Sequence, residues 1–234
     1  WMRRALLGWA RVPVVVISRQ LEHIALQVWR LPGSRVRFIA NGVAVPGQPM
    51  QRGDVAPGDV IRIGTVAGLR PEKNVARLVK AFARLRAVQP ARLIIVGGGP
   101  LQADLQQLAQ VLGVADDVEF TGYLSDPGAR LKEFDIFALS SDTEQLPMAL
   151  LEAMAVGMPV VATAVGDVPH ILAGVSPGNV CPPDDDAFAQ LLLRVVQARS
   201  DWAEWRARGH ALISNTYAKP AMLTQWQGLW SGQL

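Results

Sequence analysis

Glu144 and Glu152 stand eight residues apart in the segment SSDTEQLPMALLE, residues 140–152. Glu144 falls in a loop after an apolar run, and Glu152 falls more than a turn inside the helix that opens near Pro147. Amides at a helix start form a natural anion site. Two carboxylates so placed can accept hydrogen bonds from two hydroxyl-rich groups of one ligand, such as a sugar and a ribose. Glu152 is flanked by Leu150, Leu151, Ala153 and Met154, and a carboxylate in apolar company must be hydrogen-bonded, paired or protonated. An exposed glutamate on the polar side of an amphipathic helix is the competing reading. A second loop, VAGLRPEKN at 66–74, carries Gly68, Arg70 and Lys73. Gly68 lets a backbone approach a ligand, and Arg70 and Lys73 bring charge suited to a diphosphate, which arginine chelates bidentately. A solvated loop with a Glu72–Lys73 surface pair, worth little energetically, accounts for the same residues equally well. A third loop, Gly97-Gly98-Gly99-Pro100, lacks the G-x-G-x-x-G spacing, and Pro100 removes an amide. A tight strand-to-helix turn suits it better than a phosphate cradle.

The elements that position these loops alternate. Apolar runs at 14–17, 35–39, 60–66, 93–96, 118–121, 136–139 and 159–162 read as strands. Between them lie helices at about 19–29, from Pro71, from Pro100, and at about 127–134, 147–157 and 168–172, with three more at about 185–199, 201–215 and 219–231. In the helix after Pro71, Val75, Leu78, Val79, Phe82 and Leu85 mark one buried face. Such alternation predicts an α/β fold: a Rossmann-like parallel sheet with helices on both faces. Ligands of such sheets bind at the carboxyl ends of the strands, which is where the three loops fall. Pro46, Pro49 and Pro57, with Gly47 and Gly53, mark a linker at 46–58. It divides a segment at 1–45 from a domain at 59–216, and a last helix at 217–234 follows.

Composition narrows the function classes. Of 234 residues, half are hydrophobic and 18% are charged, which excludes disorder as the main state. Lys and Arg total 23 against 20 Asp and Glu. These charges form no basic block, so no nucleic-acid partner is expected. Cys181 stands alone, and His23, His170 and His210 are far apart. No disulfide framework and no metal-ligand spacing follows. The opening WMRRALLGWARVPVVVIS is broken by Arg11 and Pro13, unlike a signal peptide. The expected location is cytoplasmic. Trp1, Arg3, Arg4 and Trp9 suggest peripheral contact with the inner membrane face, against the plainer reading of an ordinary amphipathic helix.

With these segments in view, EQLPMALLEAMAVGMPVVATAVGDVP resembles the signature of the retaining, GT-B-fold glycosyltransferases of family 4. RPEKN, IIVGGGPL, VEFTGYL and FIANGV occur in that family's order. The resemblance implies the C-terminal, donor-binding domain of a GT-B fold plus a remnant of the N-terminal, acceptor-side domain at 1–45. It implies transfer of a hexose from a nucleotide diphosphate sugar, UDP- or GDP-linked, as in polysaccharide biosynthesis. By the resemblance, Glu144 touches the donor sugar, Glu152 binds the ribose hydroxyls, and Lys73 binds the diphosphate. Leu146, Pro147, Met148 and Ala149 then meet the sugar and phosphate, and Tyr123 and Leu124 border the nucleobase. No cofactor and no metal is expected beyond the donor. The acceptor, whether carbohydrate, lipid or small molecule, stays open.

Three positions depart from the family pattern. Gly68 stands where the family carries arginine, with Arg70 two residues later. Gln145 stands where glycine is common, and His170 where glutamate is usual. A satisfied histidine is favoured over a catalytic one there. Two GT-B domains need roughly 300–400 residues, so the chain, which begins at Trp1, is expected to hold the donor half and to leave an interdomain surface, including Trp226 and Trp230, open to self-association. A non-catalytic nucleotide-sugar-binding module and a nucleotide-sugar epimerase on the same scaffold are the competing functions.

Overall fold

The computed structural model describes residues 12–50, 55–56 and 58–232. The residues suggested for membrane contact, Trp1, Arg3, Arg4 and Trp9, lie outside them. Two parallel sheets form. In the first, β1 (Val14–Val16) pairs in parallel with β2 (Val36–Phe38). Between them run α1 (Arg19–His23) and a π-helical continuation, Ile24–Val28. Ser18 caps α1 through its side chain, as its residue type favours.

The second sheet has six parallel strands in the order β5-β4-β3-β6-β7-β8. In chain order these are β3 (Ile61–Val66), β4 (Ala91–Val96), β5 (Val118–Gly122), β6 (Ile136–Leu139), β7 (Val160–Thr163) and β8 (Val180–Cys181). The helices of this domain follow as α2 (Val75–Arg86), α3 (Gln102–Val111), α4 (Gly128–Leu131), α5 (Met148–Ala155), α6 (Val168–Leu172), α7 (Asp185–Gln197) and α8 (Trp202–Thr216), with α9 (Lys219–Trp230) last. Strand side chains point alternately to the two faces. Accordingly Leu93, Ile95, Ile136 and Ala138 join one core with α2 and α7. Ile94, Val96, Phe137 and Leu139 join a second with α5 and α6. The strand order reverses between β3 and β6, the switch point at which a doubly wound sheet opens a crevice.

Three local expectations are corrected. Pro71 opens a 3-10 turn, Pro71–Lys73, and α2 starts only at Val75. Asn74 intervenes in the left-handed conformation (φ 39°) and accepts from the Arg77 amide. Proline fixes φ for either kind of helix, so it does not choose between them. The helix expected at 127–134 is the single turn α4. Strand β8 was not expected, because two residues carry no periodicity; its pairing with β7 makes it a strand.

In the segment 46–58, expected to be a linker, the Met50 amide donates to Val156 O at 2.9 Å, and just before it Val43 bridges to Ala218. Helix α9 has no buried residue, and Trp226 and Trp230 lie 5.7 Å apart on it.

Candidate functional site

The crevice at the carboxyl ends of β3, β4, β5 and β6 encloses about 550 Å³, within the range of small-molecule sites. Ten of the eleven residues expected from the sequence line it: Gly68, Arg70, Lys73, Tyr123, Leu124, Glu144, Leu146, Pro147, Met148 and Ala149. Glu152 is not in the wall. It lies on α5 three and four residues beyond Ala149 and Met148, hence on the helix side those residues present.

The Gly-rich turn shapes one wall. A Cβ at Gly97 would fall 2.0 Å from Ala67 O, and Gly97 has φ +132°. Only glycine takes that place. Gly98 O accepts from the Leu69 amide at 3.0 Å, and Leu69 O accepts from the Leu101 amide. The turn therefore holds the 67–69 backbone.

The opposite wall is held by buried polar residues. Arg77, 5% exposed, donates to Ser140 O and to Pro183 O, both at 2.8 Å. It also pairs with Asp142 at 2.7 Å and Asp185 at 3.1 Å. Thr163 Oγ1 donates to Ser141 O at 2.6 Å. Asn74 Nδ2 donates to Asp142, and the Asp142 amide donates to Glu72 O. The loop after β3 and the loop after β6 are thus stitched together. Sequence reading missed Arg77: an arginine in an amphipathic helix looks like a surface cation, and its acceptors are backbone carbonyls with no residue signature.

Within this frame Lys73 Nζ and Ser141 Oγ both donate to Glu144 Oε1 at 2.7 Å. The carboxylate is 9% exposed. Gly166 (φ +54°) approaches so closely that a Cβ would fall 2.6 Å from both Glu144 O and Gln145 O. The Asp167 amide donates to Gln145 O at 3.0 Å. The carboxylate of Asp167, 2% exposed, accepts from the Arg19 and Gln20 amides at 2.6 and 2.9 Å. It thereby fastens the start of α1 to the Glu144 loop.

Helix α5 begins with no side-chain cap, its N-cap being Pro147. Its first amides are left for a ligand. Glu152 is partly buried and makes no side-chain hydrogen bond or ion pair among the described residues. Burial pushes its carboxyl above the usual 4.5. Burial also pushes the Cys181 thiol up to about 11, so it stays protonated and inert. His170 is exposed on α6. Among the described residues no group of three His, Cys, Asp or Glu is placed to hold a metal ion, and no helix is long and apolar enough to cross a membrane.

The model of the family described as glycosyl transferases group 1 matches residues 50–211, which contain every element of this crevice. The chain belongs to that family. An uncharacterized glycosyltransferase of Methanocaldococcus jannaschii is 28% identical over 203 residues, 81% of this chain and 51% of its own length. The N-acetyl-alpha-D-glucosaminyl L-malate synthase of Bacillus anthracis is 33% identical over 120 residues, 51% of this chain and 32% of the relative. The chain therefore spans about half and about a third of these two relatives. Among solved structures, Anabaena HepE in complex with UDP-glucose superposes with a TM-score of 0.84 at 20% identity, covering 99% of this chain and 66% of that one. The fold is the α/β, Rossmann-like fold of the GT-B glycosyltransferases.

Proposed function

We propose that the crevice is the donor site of a retaining hexosyltransferase, taking a hexose from a nucleotide diphosphate sugar. The observation that carries this reading is the pairing of two glutamates with an uncapped helix start. Glu144 is oriented by Lys73 and Ser141. Glu152 is partly buried and has no side-chain partner among the described residues. A desolvated carboxylate without a partner is costly, and ribose hydroxyls supply the missing donors. Glu144 Oε2 accepts no hydrogen bond among the described residues and is open to a donor-sugar hydroxyl. The amides of Met148 and Ala149, with Leu146 and Pro147 beside them, receive the sugar–phosphate linkage. Lys73 adds positive charge there. Such groups stabilise charge that develops on a leaving diphosphate. Tyr123, 86% exposed at the mouth, and Leu124 border the base. The relatives support this reading by name: glycosyltransferases, one solved with UDP-glucose.

The domain division expected from the sequence, with 1–45 on the acceptor side and 59–216 on the donor side, belongs to this proposal. The acceptor is a hydroxyl-bearing carbohydrate, lipid or small molecule. A product assay tests the function. Incubation with labelled UDP-glucose or GDP-mannose and a set of sugar acceptors is expected to give labelled glycoside with the donor's anomeric configuration. Inverted product would refute retention. An epimerised nucleotide sugar from donor alone would refute transfer, and binding without any product would favour a binding module.

A further inference from the structure

Asp167 stands at the N-cap position of α6, where an aspartate ordinarily caps its own helix. Its side chain makes no such bond. Both oxygens are turned instead to α1, 148 and 147 residues away in sequence, and accept from the Arg19 and Gln20 amides at 2.6 and 2.9 Å. The residue is 2% exposed, so water does not compete there. A helix start leaves its first amides without an intrahelical acceptor. In α1 the Leu21 amide is satisfied locally, by Ser18 Oγ at 3.0 Å. The Arg19 and Gln20 amides are satisfied by Asp167.

The backbone around the same residue holds the loop that carries Glu144. The Asp167 amide donates to Gln145 O at 3.0 Å. Gly166 lies so close that a Cβ on it would stand 2.6 Å from both Glu144 O and Gln145 O. A run of short contacts thus leads from Glu144 through 166–167 to the first turn of α1. Tyr217, 4% exposed, stands beside it. Burial first, and then the Asp167 charge, push its phenol above the usual 10. The Tyr217 carbonyl accepts from the Val43 amide, and Val43 O accepts from the Lys219 amide, both at 2.9 Å. The carboxylate therefore lies near the point where the segment after β2 is bonded to the segment before α9.

We propose that Asp167 is a positioning residue that couples occupancy of the sugar site to α1. A sugar held by Glu144 steadies the 144–145 backbone, that backbone steadies 166–167, and the carboxylate tightens its hold on α1. By reciprocity, a held α1 favours the sugar. The inference rests on the donor-site reading above and adds a coupling to it. A carboxylate suits the task, because its two oxygens accept from two amides in charge-assisted bonds. An asparagine keeps one acceptor and turns an N–H toward the other amide.

Hydrogen exchange and calorimetry on the full chain read this coupling from its two ends. The probes are UDP against UDP-glucose and GDP against GDP-mannose, and the better-bound pair is used. In wild type, saturating nucleotide sugar is expected to slow exchange at residues 19–22 about fivefold or more beyond the effect of free nucleotide. Asp167→Asn is expected to exchange faster there and to lose that response. It is also expected to bind nucleotide sugar more weakly while binding free nucleotide as wild type does. Ser18→Ala loosens the same turn without touching Asp167, so exchange is expected to quicken while the response to the sugar persists. Wild-type exchange that does not distinguish nucleotide sugar from nucleotide would overturn the proposal and leave the donor site standing. So would Asp167→Asn with the wild-type ratio of the two affinities, or a response lost in Ser18→Ala as well. The wild-type and Ser18→Ala arms decide it even if Asp167→Asn does not fold. A wild-type chain that binds neither nucleotide nor donor would overturn both readings.

Discussion

Replacing Arg77 tests how the site is built. The guanidinium is 5% exposed and donates to two backbone carbonyls, Ser140 O and Pro183 O, each at 2.8 Å. Hydrogen bonds to a charged group contribute about 1.5–3 kcal/mol each. The two aspartate partners add less, because Asp142 and Asp185 are 45% and 39% exposed and regain water when the arginine leaves. Truncation to alanine also opens a cavity and leaves both carbonyls unpaired. The expected loss is about 3–5 kcal/mol. At roughly 2–4 °C per kcal/mol for a domain of this size, the melting temperature falls by about 6–20 °C. Circular dichroism on heating measures this. Arg77→Lys, which keeps the charge but cannot reach all four acceptors, is expected to fall between. Because Ser140 begins the loop that holds Glu144, Arg77→Lys is also expected to weaken donor binding while remaining folded at 25 °C. An Arg77→Ala protein melting within about 2 °C of wild type would refute the reasoning.

Three further outcomes are expected. Burial raises the Glu152 carboxyl above 4.5, so the fold favours its protonated form. That contribution is fully present below pH 4.5 and is lost as pH rises through the raised value. Glu152→Gln therefore melts above wild type at pH 7, with the gap closing toward pH 4.5, and it binds nucleotide more weakly; thermal scans across pH showing a constant gap would contradict this. Gly166→Ala puts a Cβ 2.6 Å from two carbonyl oxygens at φ +54°; it is expected to shift the Glu144 loop and to weaken nucleotide sugar more than nucleotide, and equal losses on the two ligands would count against it. Asp167→Ala removes the acceptor of the Arg19 and Gln20 amides, a loss of about 1–2 kcal/mol by analogy with helix caps. Hydrogen exchange at residues 19–22 is expected to quicken about 5- to 30-fold, with β3–β6 unchanged; uniform acceleration would contradict a local clamp.

Much of the architecture was legible because buried parallel strands are short apolar runs bounded by turn residues. LIIV at 93–96 before three glycines and IFAL at 136–139 before two serines announce themselves. β8 did not, since Val180 and Cys181 become a strand only through pairing with β7. Pro71 announced a helix start, but Asn74 in a left-handed turn delays it, and side-chain capping by Asn74 is a tertiary arrangement with Asp142 as much as a local one. At the site, Lys73 and Glu144 were each visible, while their mutual bond across 71 residues was not. Arg77 and Asp167 were hidden for one reason. Each acts mainly on backbone groups far away in sequence, and backbone groups leave no trace in residue type.

On the donor-site proposal, the crevice between β3 and β6 binds a nucleotide diphosphate sugar through Glu144 and Glu152. Calorimetric titration of wild type, Glu144→Gln and Glu152→Gln with UDP-glucose, GDP-mannose and their free nucleotides addresses it most directly. Wild type is expected to bind saturably. Glu144→Gln is expected to lose affinity only for the sugar-bearing ligand, and Glu152→Gln for donor and free nucleotide alike. Binding unchanged in both variants, or no binding by folded wild type, would contradict it.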